Sequence, residues 1–280
     1  MRTAIFTALA LVAFAMNSIL CRLALGGGAI DAASFSGIRL ASGAALLLLI
    51  SMALKGGAPR ARRGHWISAS LLFLYAIAFS LAYLGLSAGT GALLLFGTVQ
   101  ATMLIAALRS GERPHALVWC GLCLALAGIF YLVLPGLTAP PLLRSTLMVV
   151  AGVSWGLYSL RGRNAGDPLL ETTCNFIYSL PLAVLAVILL SGGLHASAWG
   201  ILLAVLSGAL ASGLGYVIWY EALKGLTATR AATVQLAVPL LAAAGGALLL
   251  QEGLTTRLLV SAVLILGGVG AALAGRSRKV

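Results

Sequence analysis

Charge is what this chain has least of. Asp, Glu, Lys and Arg make up 9% of its 280 residues, and only six of them are acids. Asp31, Glu112, Asp167, Glu171, Glu221 and Glu252 lie at the edges of apolar runs or in the turns between them. So do all three histidines, His65, His115 and His195. If the runs cross a bilayer, no carboxylate or imidazole sits at mid-depth to relay a proton, and the expectation is facilitated diffusion or exchange. The parts of an enzyme are missing as well: no paired aspartates, no H-E-x-x-H and no phosphate-cradling glycine motif occurs. Ser212-Gly213 has no histidine deep in a later run to activate the serine, so an intramembrane enzyme, the rival from another class, is set aside. A channel is set aside because no ring of pore-lining charge is present. Cysteines number four, and Cys120 and Cys123 form a C-x-x-C without His or acid beside it. Structural zinc takes four ligands, so helix packing is expected there, with no metal and no cofactor.

Apolar residues are what the chain has instead. It is 61% hydrophobic with mean hydropathy +1.08, more apolar surface than a soluble domain can hide. A hydrocarbon layer about 30 Å thick needs roughly 20 helical residues. Ten such runs fit, over 3–24, 33–54, 66–86, 89–108, 115–134, 143–161, 169–190, 197–220, 229–250 and 256–275. They fill the chain, so the fold class expected is an all-α membrane protein of ten transmembrane helices with no room for a soluble domain. The first run has a basic start but lacks a small-residue cleavage site, and it reads as a helix rather than a signal peptide.

The net charge of +12 is topological. One set of connections holds Arg2, Lys55, Arg60, Arg62, Arg63, Arg109, Arg113, Arg161, Arg163, Lys224, Arg230, Arg276, Arg278 and Lys279, while the other holds only Arg22, Arg144 and Arg257. By the positive-inside bias both termini face the cytoplasm of a bacterial inner membrane. No nucleic-acid partner is implied.

The chain also repeats itself. Gly85-Leu86 and Gly225-Leu226, Glu112 and Glu252, and Gly128 and Gly268 are each separated by 140 residues. Residues 1–140 and 141–280 are therefore expected to be two five-helix repeats, with the seam in the turn-rich Pro135–Pro141. Five crossings is an odd number, so the second repeat enters the membrane inverted. That arrangement builds a site that opens to either face.

Trp219-Tyr220-Glu221-Ala222-Leu223, Pro239, Glu252 and Gly267-Gly268 resemble the EamA-type drug/metabolite transporter superfamily, whose pattern places these residues at a helix end, mid-helix, in a turn and in a last helix. Tyr83-Leu84-Gly85-Leu86, Glu112 and Ala127-Gly128 repeat the pattern more weakly, with Val99 where the second copy has Pro239. Trp155-Gly156 resembles the family's W-G motif, with Met16-Asn17 as its first-copy counterpart, and Arg39 stands where the family often has an arginine. The resemblance covers the whole chain. It implies export of small molecules by alternating access, with amino acids, including aromatic ones, among the substrates of similar bacterial exporters. A multidrug or amphiphile exporter and a nucleotide-sugar-type carrier share the fold. The latter needs two or more cavity cations for phosphate, where Arg39 stands nearly alone.

Candidate site residues follow from polarity and spacing. Tyr75, Phe79 and Tyr83 form one stripe at i, i+4 and i+8. Phe79 aligns with Trp219, beside Tyr216 and Tyr220, and Trp155 and Tyr158 lie midway along the sixth run. An aromatic stripe is either packing, an interfacial belt or a pocket wall, and the last reading is favoured least for Tyr83 and Tyr220. Asn17, Gln100 and Gln235 are deep amides that serve either a substrate or inter-helix hydrogen bonds. Arg39 either holds a substrate carboxylate or a gate partner, or snorkels outward toward Asp31, the latter being preferred. Glu112 and Glu252 are expected to cap helix starts. The expected partners are a small neutral substrate and the lipid bilayer, with the protein acting as a monomer.

Overall fold

The structure, a computed structural model, describes residues 2–55, 65–109, 116–134, 139–162, 166–190, 193–226 and 234–276. Within them the chain forms α1 (Arg2–Gly26), α2 (Ala32–Lys55), α3 (Trp66–Tyr83), α4 (Ala88–Arg109), α5 (Ala116–Val133), α6 (Leu142–Gly162), α7 (Pro168–Leu189), α8 (Ala198–Leu223), α9 (Ala237–Leu249) and α10 (Thr256–Arg276). α1, α2, α3, α7 and α8 are long and apolar enough to cross a membrane on length and composition. Large apolar side chains such as Leu189, Leu248 and Val263 are exposed on the outside of the bundle, the surface a lipid solvent covers at no cost.

The helix starts use the chemistry that orphan amides require. Asp31 Oδ1 accepts from the amides of Ala33 and Ser34, capping α2. Asp167 caps α7 by accepting from the Leu170 amide, with Pro168 following in the first turn. Val234 and Gln235 are helical, Leu236 forms a turn, and α9 continues from Ala237 with Pro239 at its third position. The ring has no N–H to give to the Gln235 carbonyl, which fits a break in the winding just before it.

α8 is interrupted. Residues Ser207–Leu214 are wound as a π-helix between two α-helical segments, Ala198–Leu206 and Gly215–Leu223. Its glycines let α2 come close: a Cβ on Gly208 would collide with the Arg39 carbonyl, and one on Gly213 would lie 3.4 Å from the Gly43 carbonyl.

α2 packs on α7, α3 on α6 and α7, α1 on α8 and α9, and α4 on α6 and α9, while α5 and α10 pair side by side. At the α5–α10 crossing, Gly128 lies against Ile265 and Gly268 lies against Ala125. Both contacts are tight, with 2.8 Å from a Cβ at 128 to Ile265 and 2.5 Å from one at 268 to the Ala125 amide. These two contacts become each other when every number is shifted by 140. Gly85 at the end of α3 lies against Pro141 and Arg144 at the start of α6, and Gly225 at the end of α8 lies against Thr3 at the start of α1. Cys120 and Cys123 are free and exposed on α5, so the packing role expected of them is corrected: both thiols point away from the bundle.

Candidate functional site

Five helices bring side chains to one small chamber at the centre of the bundle. α1 supplies Phe14, Asn17 and Ser18, α3 supplies Tyr75 and Phe79, α4 supplies Leu95 and Phe96, α6 supplies Trp155 and α8 supplies Tyr216. The rings form a continuous wall. Trp155 lies 4.7 Å from Tyr216 and 5.0 Å from Tyr75 between centroids, and Phe14 meets Trp155, Tyr216 and Trp219 edge-on at 5.7–6.1 Å. The space they enclose is about 10 Å³, roughly enough for one water. Admitting a metabolite requires rings or helices to move.

A polar network backs this aromatic wall. Arg39, on α2, is 1% exposed. It donates from Nε to Ser212 Oγ at 3.0 Å and from Nη2 to the hydroxyls of Tyr75 at 3.1 Å and Tyr216 at 3.4 Å. Its guanidinium also sits over the rings of Tyr75 and Phe79, 5.1 and 5.0 Å from their centroids. Asn17 Nδ2 donates to the Tyr75 hydroxyl at 3.3 Å, and Ser207 donates to Asn17 Oδ1 at 2.5 Å. Snorkelling of Arg39 toward Asp31 is thereby corrected. The helix is long enough for it, but the side chain turns inward, where two phenols, a serine and two aromatic faces receive it.

The π-segment explains how α8 joins this network twice. Residues five apart diverge by about 140° around an α-helix, whereas i→i+5 winding stacks them. Ser207 and Ser212 are five apart and both serve the same cluster, one through Asn17 and the other through Arg39.

Of the residues singled out from sequence, Asn17, Tyr75, Phe79, Trp155 and Tyr216 line the chamber. Trp219 and Tyr158 stand one layer behind it, against Phe14 at 5.7 Å and Trp155 at 5.7 Å. Tyr83 packs on Phe79 at 4.7 Å and donates to the Ala88 carbonyl, placing it near the α3–α4 turn. Gln100 and Gln235 are buried but do not line the chamber. Pro239 lies at the third position of α9. Glu252 caps the start of α4 by accepting from the Ala88 amide at 2.7 Å, and pairs with Arg22 Nε at 2.8 Å. Arg22 Nη1 also donates to the Tyr83 carbonyl at 3.2 Å. Glu112 lies outside the described residues. Phe14, Ser18, Leu95, Phe96, Ser207 and Ser212 were not singled out for the site. Phe14 and Ser18 share a helical face with Asn17, at the i, i+3, i+4 spacing that reveals them once Asn17 is chosen.

Residues 143–273 match the EamA-like transporter family. The chain is also 51% identical over 275 residues to an uncharacterized protein of Pseudomonas aeruginosa, covering 98% of this chain and 96% of that relative. This chain belongs to the EamA-like transporter family. A further relative, a probable amino-acid metabolite efflux pump of Escherichia coli, is 27% identical over 210 residues, or 70% of each chain. A crystal structure of a protein 19% identical shares the fold, with a TM-score of 0.66 over 98% of both chains. EamA membership and the apolar helices together make this a multi-pass membrane protein of a transporter family.

Proposed function

We propose that the protein is an alternating-access exporter of small metabolites, amino acids being the class nearest to hand, built from two inverted five-helix halves, 1–140 and 141–280. The observation that carries this reading is the chamber itself. Its walls come from α1, α3 and α4 of one half and α6 and α8 of the other, so sliding or rocking one half against the other opens it toward either end. The reciprocal glycine contacts of α5 with α10, and of α3–α6 with α8–α1, support a twofold relation between the halves. Inverted repeats around a midplane site are the recurrent architecture of such carriers.

The positive-inside bias puts both termini in the cytoplasm and the α1–α2, α3–α4, α5–α6, α7–α8 and α9–α10 connections outside. At that outer end Arg22 ties α1 to Glu252 and to the end of α3, Arg144 donates to the Leu81 carbonyl at 2.8 Å, and Asp31 receives the His195 amide at 3.0 Å. These are the groups that part when the carrier opens outward. Amino acids enter through the E. coli relative, described as a probable amino-acid metabolite efflux pump; the aromatic wall suits a cargo with an apolar body. Movement runs down the cargo's own gradient or by exchange.

Efflux of radiolabelled phenylalanine, leucine and other neutral amino acids from proteoliposomes tests the reading. Trp155→Ala, which removes a wall shared with Tyr75 and Tyr216, is expected to cut flux at least several-fold while leaving a monodisperse protein. Flux equal to wild type removes Trp155 from the pathway.

A further inference from the structure

Arg39 is the feature that structural packing leaves unexplained. It is a fully buried cation in the middle of the bundle, and no carboxylate pairs with it among the described residues. Its partners are all neutral, and Nη1 has no hydrogen-bond partner among the described residues. A buried charge that is neither paired nor fully hydrogen-bonded is expensive, and bundles that need only packing do not keep one.

The surrounding polar atoms point the same way. The Tyr75 oxygen accepts from both Arg39 and Asn17, which uses its lone pairs and leaves its own O–H to donate. Tyr216 likewise accepts from Arg39. Asn17 Oδ1 is taken by Ser207 and Ser212 Oγ by Arg39. What remains unspent beside the chamber is a charged donor, Nη1 of Arg39, which has no partner among the described residues. An ammonium ion there would face the like charge of the guanidinium, which already lies over the rings of Tyr75 and Phe79.

Resting on the carrier reading above, we propose that Arg39 is the carboxylate receptor of the chamber. The cargo is a monocarboxylate with an apolar or aromatic body, recognised through its carboxylate and not through an amino group. The carboxylate enters between Tyr75 and Tyr216, accepts hydrogen bonds from Nη1 and the Tyr75 hydroxyl, and supplies the counter-charge that the bundle lacks. A charge-assisted hydrogen bond of this kind is roughly twice as strong as a neutral one.

A series of ligands of one shape and different charge tests this on the full-length protein in detergent and in liposomes. The probes are 3-phenylpropionate, its neutral amide, 2-phenylethylamine and L-phenylalanine, with chloride at matched ionic strength as the inorganic arm. Binding is read from the ligand-induced rise in thermal midpoint, and flux from uptake of the labelled probe. The expected result is at least tenfold tighter binding of 3-phenylpropionate than of its amide, no loss relative to L-phenylalanine, no binding of the amine and no effect of chloride. Arg39→Gln is expected to abolish the preference for carboxylate over amide, and Arg39→Lys to keep it. The wild-type ligand series stands even if the glutamine variant fails to fold. Equal binding of carboxylate and amide, a requirement for the amino group, or an Arg39→Gln variant that still prefers the carboxylate overturns the inference, and a response to chloride alone reassigns Arg39 to inorganic anions. In each of those cases the carrier reading stands provided any organic probe crosses. If none binds or crosses with folded wild-type protein, both fall together.

Discussion

Asn17 has a side chain that can satisfy two partners at once, and the structure uses both ends: the amide nitrogen for Tyr75 and the oxygen for Ser207. Removing either end strands a buried polar group, which costs about 1–3 kcal/mol. Asn17→Ala is therefore expected to destabilise by that amount. Ser207→Ala in the Asn17→Ala background should add almost nothing, because its partner has already gone. Chemical unfolding of the four proteins in detergent checks this, and additive losses would mean the two side chains act independently. Asp31 makes a second residue-scale case outside the spans. Partial burial pushes its pKa up, but hydrogen bonds from Ser34 and from the backbone amides of Ser34, His195 and Ala33 outweigh that and hold it below the ordinary 3.8. A carboxyl whose pKa is depressed by folding stabilises the fold above its unfolded pKa and loses that contribution as pH falls through its folded value. Asp31→Asn should lower the thermal midpoint at pH 7, and the gap to wild type should close as pH drops below 3.8. A gap that stays constant with pH would show that the charge on Asp31 contributes nothing.

At the scale of the element, α8 carries the most information and disclosed the least from sequence. Its apolar length is plain, and Tyr216 and Trp219 stand out by composition, but Ser-Gly-Ala-Leu-Ala-Ser-Gly-Leu reads equally well as an ordinary helix rich in small residues. The π-winding depends on what α2 and α1 place opposite it, namely the Arg39 guanidinium and Asn17, and no local pattern encodes that. Arg39 fails for the related reason that position along a helix measures reach, not which face or which neighbour. Tyr75, Phe79 and Trp155 were legible because bulky aromatics midway along a span have few other uses. Glu252 was expected from sequence to cap a helix start, with no particular helix assigned. It serves α4, in the other half of the chain, through a close approach in which a Cβ on Gly246 would meet its carboxylate at 2.8 Å. Glu252→Ala removes that cap and frees Arg22. A cap of this type contributes about 1–2 kcal/mol, and the exposed part of the ion pair adds little. The variant should unfold at a lower denaturant midpoint by that measure and move the outer end toward its open state. An unchanged midpoint would mean that water replaces the carboxylate without loss.

Across the whole molecule, the separation of 140 residues between matched landmarks reappears as geometry. Gly128 against Ile265 and Gly268 against Ala125 form a self-complementary contact of the sort that a twofold axis generates. The ten helices were readable from hydropathy, because lipid allows so few alternatives. The near-absence of free space in the chamber was not readable, since it depends on how Phe14, Trp155, Tyr75 and Tyr216 interlock. On the alternating-access proposal, the chamber must open at one end before it can take cargo, and the clasp of Arg22 with Glu252 and the Tyr83 carbonyl is the part that has to yield.

Side-resolved labelling of a single cysteine tests the central claim most directly. In a background with Cys21, Cys120, Cys123 and Cys174 replaced, Asn17→Cys places a thiol in the chamber, and a membrane-impermeant maleimide is offered from the outer or the inner face of oriented vesicles. Alternating access predicts reaction from both faces. It also predicts that bridging Arg22→Cys to Glu252→Cys with a short bis-methanethiosulfonate linker, which forms a disulfide at each cysteine with loss of sulfinate, abolishes labelling from outside while leaving labelling from inside intact. Reaction from one face only in every condition, or outside labelling that survives the bridge, would contradict it.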